Sequence, residues 1–583
     1  LAKGKFMKIF QSWQLALLLT GLVVGTACRS GPDTTNIDSQ LATIKIGKFG
    51  SNWKMMSVVL KDEAGSTTNH DFPIAAFAQG SASAAVQVKY GTYGIDLQYF
   101  NDVEKKQLVM ESCAAEKVRS YVVDEPSESF EIKVCDTAQK ELGTTPPVKE
   151  ADVVIKPVVP GTTPGTGVPG NAGSVVGAYF VEWGVYGRKY TADMVPFDKI
   201  THLLYGFIPI CGRNEALTLS GLADSLAALQ RACVGKKDFE VTIHDPWAAL
   251  EMPKANFKEL AKKKQQYPNV KILPSIGGWT LSDPFFELAG DPAKRAVFIN
   301  SVQRFLQEHT FFDGVDIDWE YPGGGGANPS LGSAADTANY TTLMTELRNA
   351  LDELGQRNGR RYLLTSAVGA TSAKIAKVEY GKLFANPAKP TIDLIFAMTY
   401  DYYGPWKDNT TRGHMAGLYA PTQKLPEDFH GDATIKSMLA AGVPPQNLAL
   451  GVAMYGRAWQ GVQFKNGSAL SLDLSDSANN GQAWAAEAGM WEAGIMDYKF
   501  IASKYRNAAG YTYSFDPVAK APYLYSLEQG RFISFEDPCS TLAKHEYAQK
   551  KKLAGLFAWE IDGDDAEYSL LKAMAGKTSI SCP

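Results

Sequence analysis

The sequence predicts an α/β protein: a (β/α)8 TIM barrel with an α+β insertion domain, preceded by an N-terminal β-sandwich of immunoglobulin or fibronectin type. Three observations carry this prediction. After residue 175, eight short apolar β-runs alternate with amphipathic helical stretches. The gap between the seventh and eighth runs is too long for a single helix. Residues 40–155 contain only short strand-like runs at the spacing of a sandwich.

Composition agrees. With 583 residues, 45% hydrophobic and 21% charged, the chain has ample apolar surface for a large core, which excludes disorder over most of its length. The net charge of −4 comes from 58 basic and 62 acidic residues without a basic stripe, so nucleic acid is not an expected partner.

The elements follow in order. Lys3, Lys5 and Lys8 precede an apolar run, Leu15 to Val24, broken only by Thr20 and Gly21; the small residues Gly25 and Ala27 then lead to Cys28. Residues 1–27 therefore read as a secretory signal peptide, with a run too short for a permanent membrane span. Export follows, and with it disulfides. A mature chain starting at Cys28 resembles a bacterial lipoprotein, with Gly25 where that signal usually has Leu. Cys28 is thus a lipidation candidate, and a lipid anchor is the only membrane contact expected.

In the domain spanning 40–155, Ala84–Tyr90 and Tyr93–Phe100 flank Gly91-Thr92 and suggest a hairpin. Trp53–Leu60, Gln107–Cys113, Lys117–Val123 and Ser129–Cys135 are further strands. Cys113 and Cys135 end two of them and are disulfide candidates. Residues 156–174 hold four Pro and five Gly and read as a linker. The barrel is assigned to 175–457 and 536–583. Its runs are Val176–Trp183, His202–Ile208, Val270–Ile276, Phe312–Glu320, Tyr362–Gly369, Ile392–Tyr400, Leu448–Tyr455 and Leu553–Ile561. The insertion is assigned to 458–535, with a helical piece at Trp484–Trp491 and a strand at Tyr511–Phe515.

The densest chemical signal is Phe312-Asp-Gly-Val-Asp-Ile-Asp-Trp-Glu-Tyr321. Strand side chains alternate, so Asp316, Asp318 and Glu320 share one face and Val315, Ile317 and Trp319 the other. In a barrel the apolar set packs outward on the helices and the acids point inward, with Glu320 at the C-terminal mouth where active sites of this fold lie. Desolvation and the neighbouring Asp318 are expected to raise the pKa of Glu320, as a general acid requires. A hard-cation site is the competing reading, but the glycine and glutamate of an EF-hand are missing, and no metal or cofactor is expected. A solvated polar face conflicts with the apolar opposite face. On residues alone, Asp318 could equally act as a covalent nucleophile.

This segment resembles the DGxDxDxE signature of family 18 chitinases. The resemblance extends through Tyr179-Phe-Val-Glu-Trp-Gly-Val-Tyr186, Leu203-Leu-Tyr-Gly-Phe-Ile-Pro-Ile-Cys211, Ser275-Ile-Gly-Gly-Trp279, Met398-Thr-Tyr-Asp401, Met454-Tyr-Gly-Arg457 and Trp559-Glu-Ile-Asp562. It covers most of 176–575 and is nearest the bacterial chitinase A type. It implies retaining hydrolysis of β-1,4-linked N-acetylglucosamine polymers, chitin and chitooligosaccharides, mainly to the disaccharide. The family is an exception to the two-carboxylate scheme. The substrate's acetamido oxygen would attack C1, giving an oxazolinium ion. Glu320 would be acid and base, Asp318 would hold the acetamido N–H with Asp316 behind it, and Tyr400 would hold the acetamido oxygen. Asp401 and Met398 would shape that pocket, and Tyr455 and Arg457 would bind sugar hydroxyls. Asp313 falls off the inward series and reads as structural. Gly277 and Gly278 would allow close chain approach.

Nine of the 11 Trp lie after the linker, and pyranose faces stack on aromatic rings. Trp559 is the candidate floor of the site. Trp183, Trp279, Trp406 and Phe207 follow other strands and are expected to line the cleft, while Trp491 and Glu492 would form a wall from the insertion. Trp319 faces away by parity. Two departures from the family type stand out. The segment after His244-Asp-Pro-Trp247 lacks a longer loop with a surface aromatic, and Ser372 stands where a lysine is expected.

The resemblance supports a Cys211–Cys233 disulfide. Cys539 and Cys582 are candidates to pin the C-terminus. With Cys113 and Cys135, these account for six of seven cysteines, leaving Cys28. A monomeric, exported chitinase is the expectation. The alternatives are an endo-β-N-acetylglucosaminidase acting on glycans, or a chitin-binding lectin on the same barrel. The presence of Glu320 argues against the lectin.

Overall fold

A computed structural model describes residues 174–583, apart from 407–410, 422–427, 465–479 and 488–489, together with the backbone of eight strands between Ser39 and Asp136. The chain divides into two compact units, Leu1–Val159 and Pro160–Pro583. The signal segment, Cys28, Cys113, the Cys135 side chain and all of the linker but Ser174 lie outside the described residues.

In the first unit, Ser39–Ile46 pairs antiparallel with Ala82–Lys89. A second antiparallel sheet holds Thr67–Pro73, Met55–Asp62, Gly91–Phe100, Leu108–Ser112 and Val134–Asp136, with Ser120–Val123 also on Gly91–Phe100. The expected hairpin around Gly91-Thr92 does not form: its two runs join different sheets. Only Tyr90 separates them, and a tight hairpin needs two connecting residues.

The second unit is built on a closed parallel barrel. Its strands are β1 (Val175–Val181), β2 (His202–Ile208), β3 (Lys271–Gly277), β4 (Gly314–Asp318), β5 (Leu363–Gly369), β6 (Leu394–Met398), β7 (Leu448–Ala453) and β8 (Gly555–Trp559), neighbours in chain order. Every expected run is a barrel strand. Each is buried along most of its length, because helices cover one face and side chains fill the interior. Val315, Ile317 and Trp319 belong to the outer layer with helix residues such as Phe298, Leu343 and Leu347. Tyr179, Phe396 and Phe557 pack inside, with Met398, Tyr400 and Trp559 above them. Strand parity therefore sorted β4 correctly. Asp313 is structural: its carboxylate accepts from Lys264 Nζ at 2.7 Å and from the Ile272 amide at 2.8 Å.

Among the described residues between β7 and β8 lies a six-stranded antiparallel sheet that carries the helix Tyr498–Lys504. Its first strand is Tyr455–Gln460, so Tyr455 and Arg457 sit on the insertion's sheet and not on the seventh barrel strand. The described part of Trp484–Trp491 is not helical. The Trp484 amide bonds to Ala458 O and its carbonyl to the Gly494 amide, so the backbone is spent across the sheet edge. Cys211–Cys233 closes the excursion after β2, and Cys539–Cys582 ties the C-terminus to the helix Pro538–Lys551.

That helix is locked to β7 by a buried ion pair. Lys544 Nζ lies 2.7 Å from Glu536 and donates to Gly451 O at 2.8 Å, while Glu536 accepts from the Ala453 amide. Lys544→Met would leave the Glu536 carboxylate buried without its cation, a loss of about 3–5 kcal/mol. Chemical denaturation of this variant and of Lys544→Met with Glu536→Gln should show the double replacement recovering part of that loss.

Candidate active site

The site begins with the register of β4. Asp316 pairs with Ser275 on β3 and with Thr365 on β5. Two hydroxyls therefore flank its carboxylate, Ser275 Oγ at 2.7 Å and Thr365 Oγ1 at 2.5 Å, and Tyr179 donates from β1 at 3.0 Å. Burial still raises its pKa against these three donors. Asp318 sits one step nearer the mouth. Burial pushes its pKa well up, and repulsion from Glu320 and Asp316 adds to this. Its Oδ1 is buried and has no hydrogen-bond partner among the described residues. Glu320 follows just beyond the strand, raised by burial to about 7. A hydrogen bond with Tyr321 and the cation of Lys374 oppose that rise, and Asp401 adds to it. The sequence reading had Asp318 raising Glu320. The two carboxyls do repel each other, and Asp401 from the loop after β6 adds a further rise to Glu320 that the sequence did not show.

The acid strand is held by backbone contact with β3. The Gly278 amide donates to Asp318 O at 2.8 Å. Ser282 Oγ donates to Gly278 O and Asp318 O and accepts from the Glu320 amide at 2.9 Å. Gly277 and Gly278 have φ of +108° and +92°, which favours glycine. A Cβ at Gly277 would stand 2.2 Å from Asp318 O, and one at Gly278 2.7 Å from the Phe207 ring.

Around the acids the loops bring the expected residues together. Tyr400 is raised well above a normal phenol by burial and by the charges of Asp318, Glu320, Asp401 and Asp316. Asp401 accepts a two-pronged ion pair from Arg457, Nε at 2.8 Å and a terminal nitrogen at 2.6 Å. The guanidinium also faces Trp406 and Tyr455, and the negative charge of Glu492 acts on it. Trp559 lies 5.2 Å from Tyr179. Phe207 is buried and stacks on Trp559 at 5.6 Å, so it backs the floor and does not form a cleft wall. Trp183, Trp279, Trp406 and Trp491 are exposed, as sugar platforms must be, whereas Trp319 is buried against Phe285.

Several contributors escaped the sequence reading. Arg188 contacts Glu560, Asp562 and Asp497, and its guanidinium faces Trp491, whose indole donates to Asp497 at 3.1 Å. It fixes the insertion's wall against the barrel mouth, a link between positions too far apart in sequence for any spacing rule. Trp247, at the start of the shortened segment after β2, is exposed and stacks on Tyr186 at 5.7 Å. Ser372, standing in for the expected lysine, is exposed and bonds to Asp428. The nearby cation is Lys374.

Residues 175–564 match the family model for glycosyl hydrolases family 18. The chain belongs to glycosyl hydrolase family 18. It is 43% identical over 435 residues to chitinase A of Pseudoalteromonas piscicida, across 69% of this chain and 52% of that protein. It is 46% identical to a probable endochitinase of Orgyia pseudotsugata multicapsid polyhedrosis virus, across 70% and 72%. The chain thus spans only about half of the Pseudoalteromonas relative. Among solved structures, chitinase ChiA74 from Bacillus thuringiensis matches with a TM-score of 0.59 at 31% identity, covering 70% of this chain and 71% of that one. A group IV chitinase of Ostrinia furnacalis in complex with allosamidin matches at 0.57 and 26%, covering 69% and 98%. As a member of family 18 the chain is a glycoside hydrolase. In this family 18 barrel, Gly277→Ala should displace the acid strand. An activity loss of about 100-fold is expected, read as kcat on an oligosaccharide substrate alongside circular dichroism to confirm folding.

Proposed function

We propose that this chain is a chitinase that hydrolyses β-1,4-N-acetylglucosamine linkages of chitin and chitooligosaccharides with retention, through an oxazolinium intermediate. One observation carries the reading: a carboxyl poised near neutrality at the barrel mouth, Glu320, beside a buried Asp318 whose Oδ1 lacks a partner. The protonated Glu320 gives its proton to the leaving glycosidic oxygen. The acetamido oxygen of the sugar attacks C1, Asp318 Oδ1 accepts the acetamido N–H, and Tyr400 steadies the acetamido oxygen. The Glu320 carboxylate then takes a proton from the water that opens the ring, so two inversions give net retention. A covalent role for Asp318 is less favoured, because a buried carboxyl with a strongly raised pKa is a poor nucleophile.

Trp559 forms the floor under the reacting sugar. Trp183, Trp279, Trp406 and Trp491 are platforms along the cleft, with Arg457, Tyr455, Asp401, Met398 and Glu492 facing sugar hydroxyls. Tyr186 and Trp247 extend the aromatic path on the side of Trp183. The disaccharide is the main product in this reading. The two disulfides are consistent with export of a monomer, with residues 1–27 as signal peptide and Cys28 as the lipidated residue. Mass spectrometry of the mature N-terminus checks Cys28: a chain beginning with unmodified cysteine, or lacking it, removes the anchor.

Glu320→Gln should lower turnover at least about 100-fold while calorimetry still detects chitooligosaccharide binding. Near-normal turnover would refute the acid assignment. The acid form of Glu320 is the active one in the first step, and its raised pKa keeps it protonated to about 7. The pH profile of kcat/KM should therefore fall on the alkaline side near neutrality and not near pH 4.5. A thiazoline analogue of the oxazolinium should inhibit; no inhibition would favour the covalent route. Time-resolved products from chitin hexamer and from an N-glycan separate chitinase from endo-N-acetylglucosaminidase.

A further inference from the structure

Immediately after the acid strand the chain runs Tyr321-Pro-Gly-Gly-Gly-Gly326, four consecutive glycines that the catalytic reading leaves unexplained. The loop folds back over the acid's own backbone. The Gly324 amide donates to Tyr321 O at 2.8 Å, and a Cβ at Gly326 would stand 2.1 Å from Glu320 O. Its outer edge is sewn to Asp336, which accepts from the Gly323 amide at 2.9 Å. The other edge is held by Lys374, from the short helix Ser372–Ile375 that follows β5. Lys374 Nζ donates to Gly324 O at 3.0 Å and Gly325 O at 2.9 Å. The same nitrogen lies 3.6 Å from the centre of the Tyr321 ring. A Cβ at Gly325 would stand 2.8 Å from Nζ, and one at Gly369 would press on both Tyr321 and Lys374. The ammonium is therefore enclosed by two carbonyls and a ring, in a space that only glycine leaves open.

We propose that Lys374 is a positioning residue: it clamps the Gly323–Gly326 loop and the Tyr321 ring behind Glu320, holding its positive charge where it favours the ionised acid. This rests on the reading of Glu320 as the acid. The charged and titratable groups acting on Glu320 are Asp318 on its own strand, Tyr321 next to it, Lys374 after β5, and Tyr400 and Asp401 after β6. Asp401 is already paired with Arg457, so Lys374 is the cation whose field reaches Glu320 directly. Partial burial lowers the lysine's own pKa to about 8, so it is mostly charged at the midpoint of the Glu320 titration and loses its charge above it. This balance lets Glu320 serve twice. Without a cation, burial alone would make the acid too reluctant to release its proton. The enclosing carbonyls and ring hold the cation in place.

The test is the pH profile of kcat/KM on a chromogenic chitooligosaccharide, for the full chain and for Lys374→Met, Lys374→Arg and Glu320→Gln. Loss of the cation leaves Glu320 protonated to higher pH, so the alkaline limb of Lys374→Met should move upward. One pH unit above the wild-type midpoint, this variant should keep about threefold more of its own maximum than wild type, less than a full opposite charge imposes because the lysine is itself partly neutral there. Lys374→Arg retains the charge and should restore the wild-type limb. Lys374→Gln serves as a second neutral replacement if the methionine variant does not fold. Lower activity with an unmoved limb in a folded neutral variant, while Glu320→Gln is inactive, overturns the role of Lys374 alone. An active Glu320→Gln overturns the acid assignment and the role of Lys374 with it.

Discussion

Burying three carboxyl groups on one face of a single strand is the constraint around which the site is organised. A carboxylate taken from water into a barrel interior is costly unless hydrogen bonds or counter-charges compensate it, and protonation is the alternative. The structure answers differently at each depth. Asp316, the deepest, receives three hydroxyl donors. Asp318 has an unpartnered oxygen and a strongly raised pKa. Glu320, at the mouth, is balanced between burial and Asp401 on one side and Tyr321 and Lys374 on the other. The gradient arises because β4 is flanked by hydroxyl-bearing strands only at the level of Asp316.

The same constraint explains the glycines around β4. An acid row works only if its backbone is fixed, and the fixing contacts come from directly behind it. Gly277 and Gly278 allow the β3 turn to touch Asp318 O, and Ser282 bridges that turn to the Glu320 amide. On the other side Gly326 packs on Glu320 O. A side chain at Gly277 or Gly326 would occupy the space of the backbone it supports, and one at Gly278 the space of the Phe207 ring.

The insertion completes the cleft through charge, not apolar packing alone. Arg457 reaches from its first strand to Asp401, and Asp497 meets Arg188 from the loop after β1. Each guanidinium also faces an exposed tryptophan, Trp406 or Trp491. Half-buried guanidinium–carboxylate pairs of this kind fix direction as well as distance, which suits residues that must present an aromatic face to a sugar.

The sequence by itself determined the barrel, the insertion, the strand bearing the acids and the outward turn of Trp319. These follow from the period-two alternation of strands and the number of apolar runs, which are local properties. It also led to the two described disulfides through family resemblance and through the grouping of cysteines by region. It erred where the deciding contact is remote. Trp484–Trp491 looks helical until a sheet edge claims its backbone, and Phe207 looks like a cleft residue until Trp559 covers it. Only the tertiary structure added Asp401, which raises Glu320, and Lys374, which opposes the rise, because both reach it from strands far apart in sequence. Hydrogen-bonding period and hydrophobic pattern are written along the chain. The electrostatic environment of a buried carboxyl is a sum over neighbours that only folding brings together.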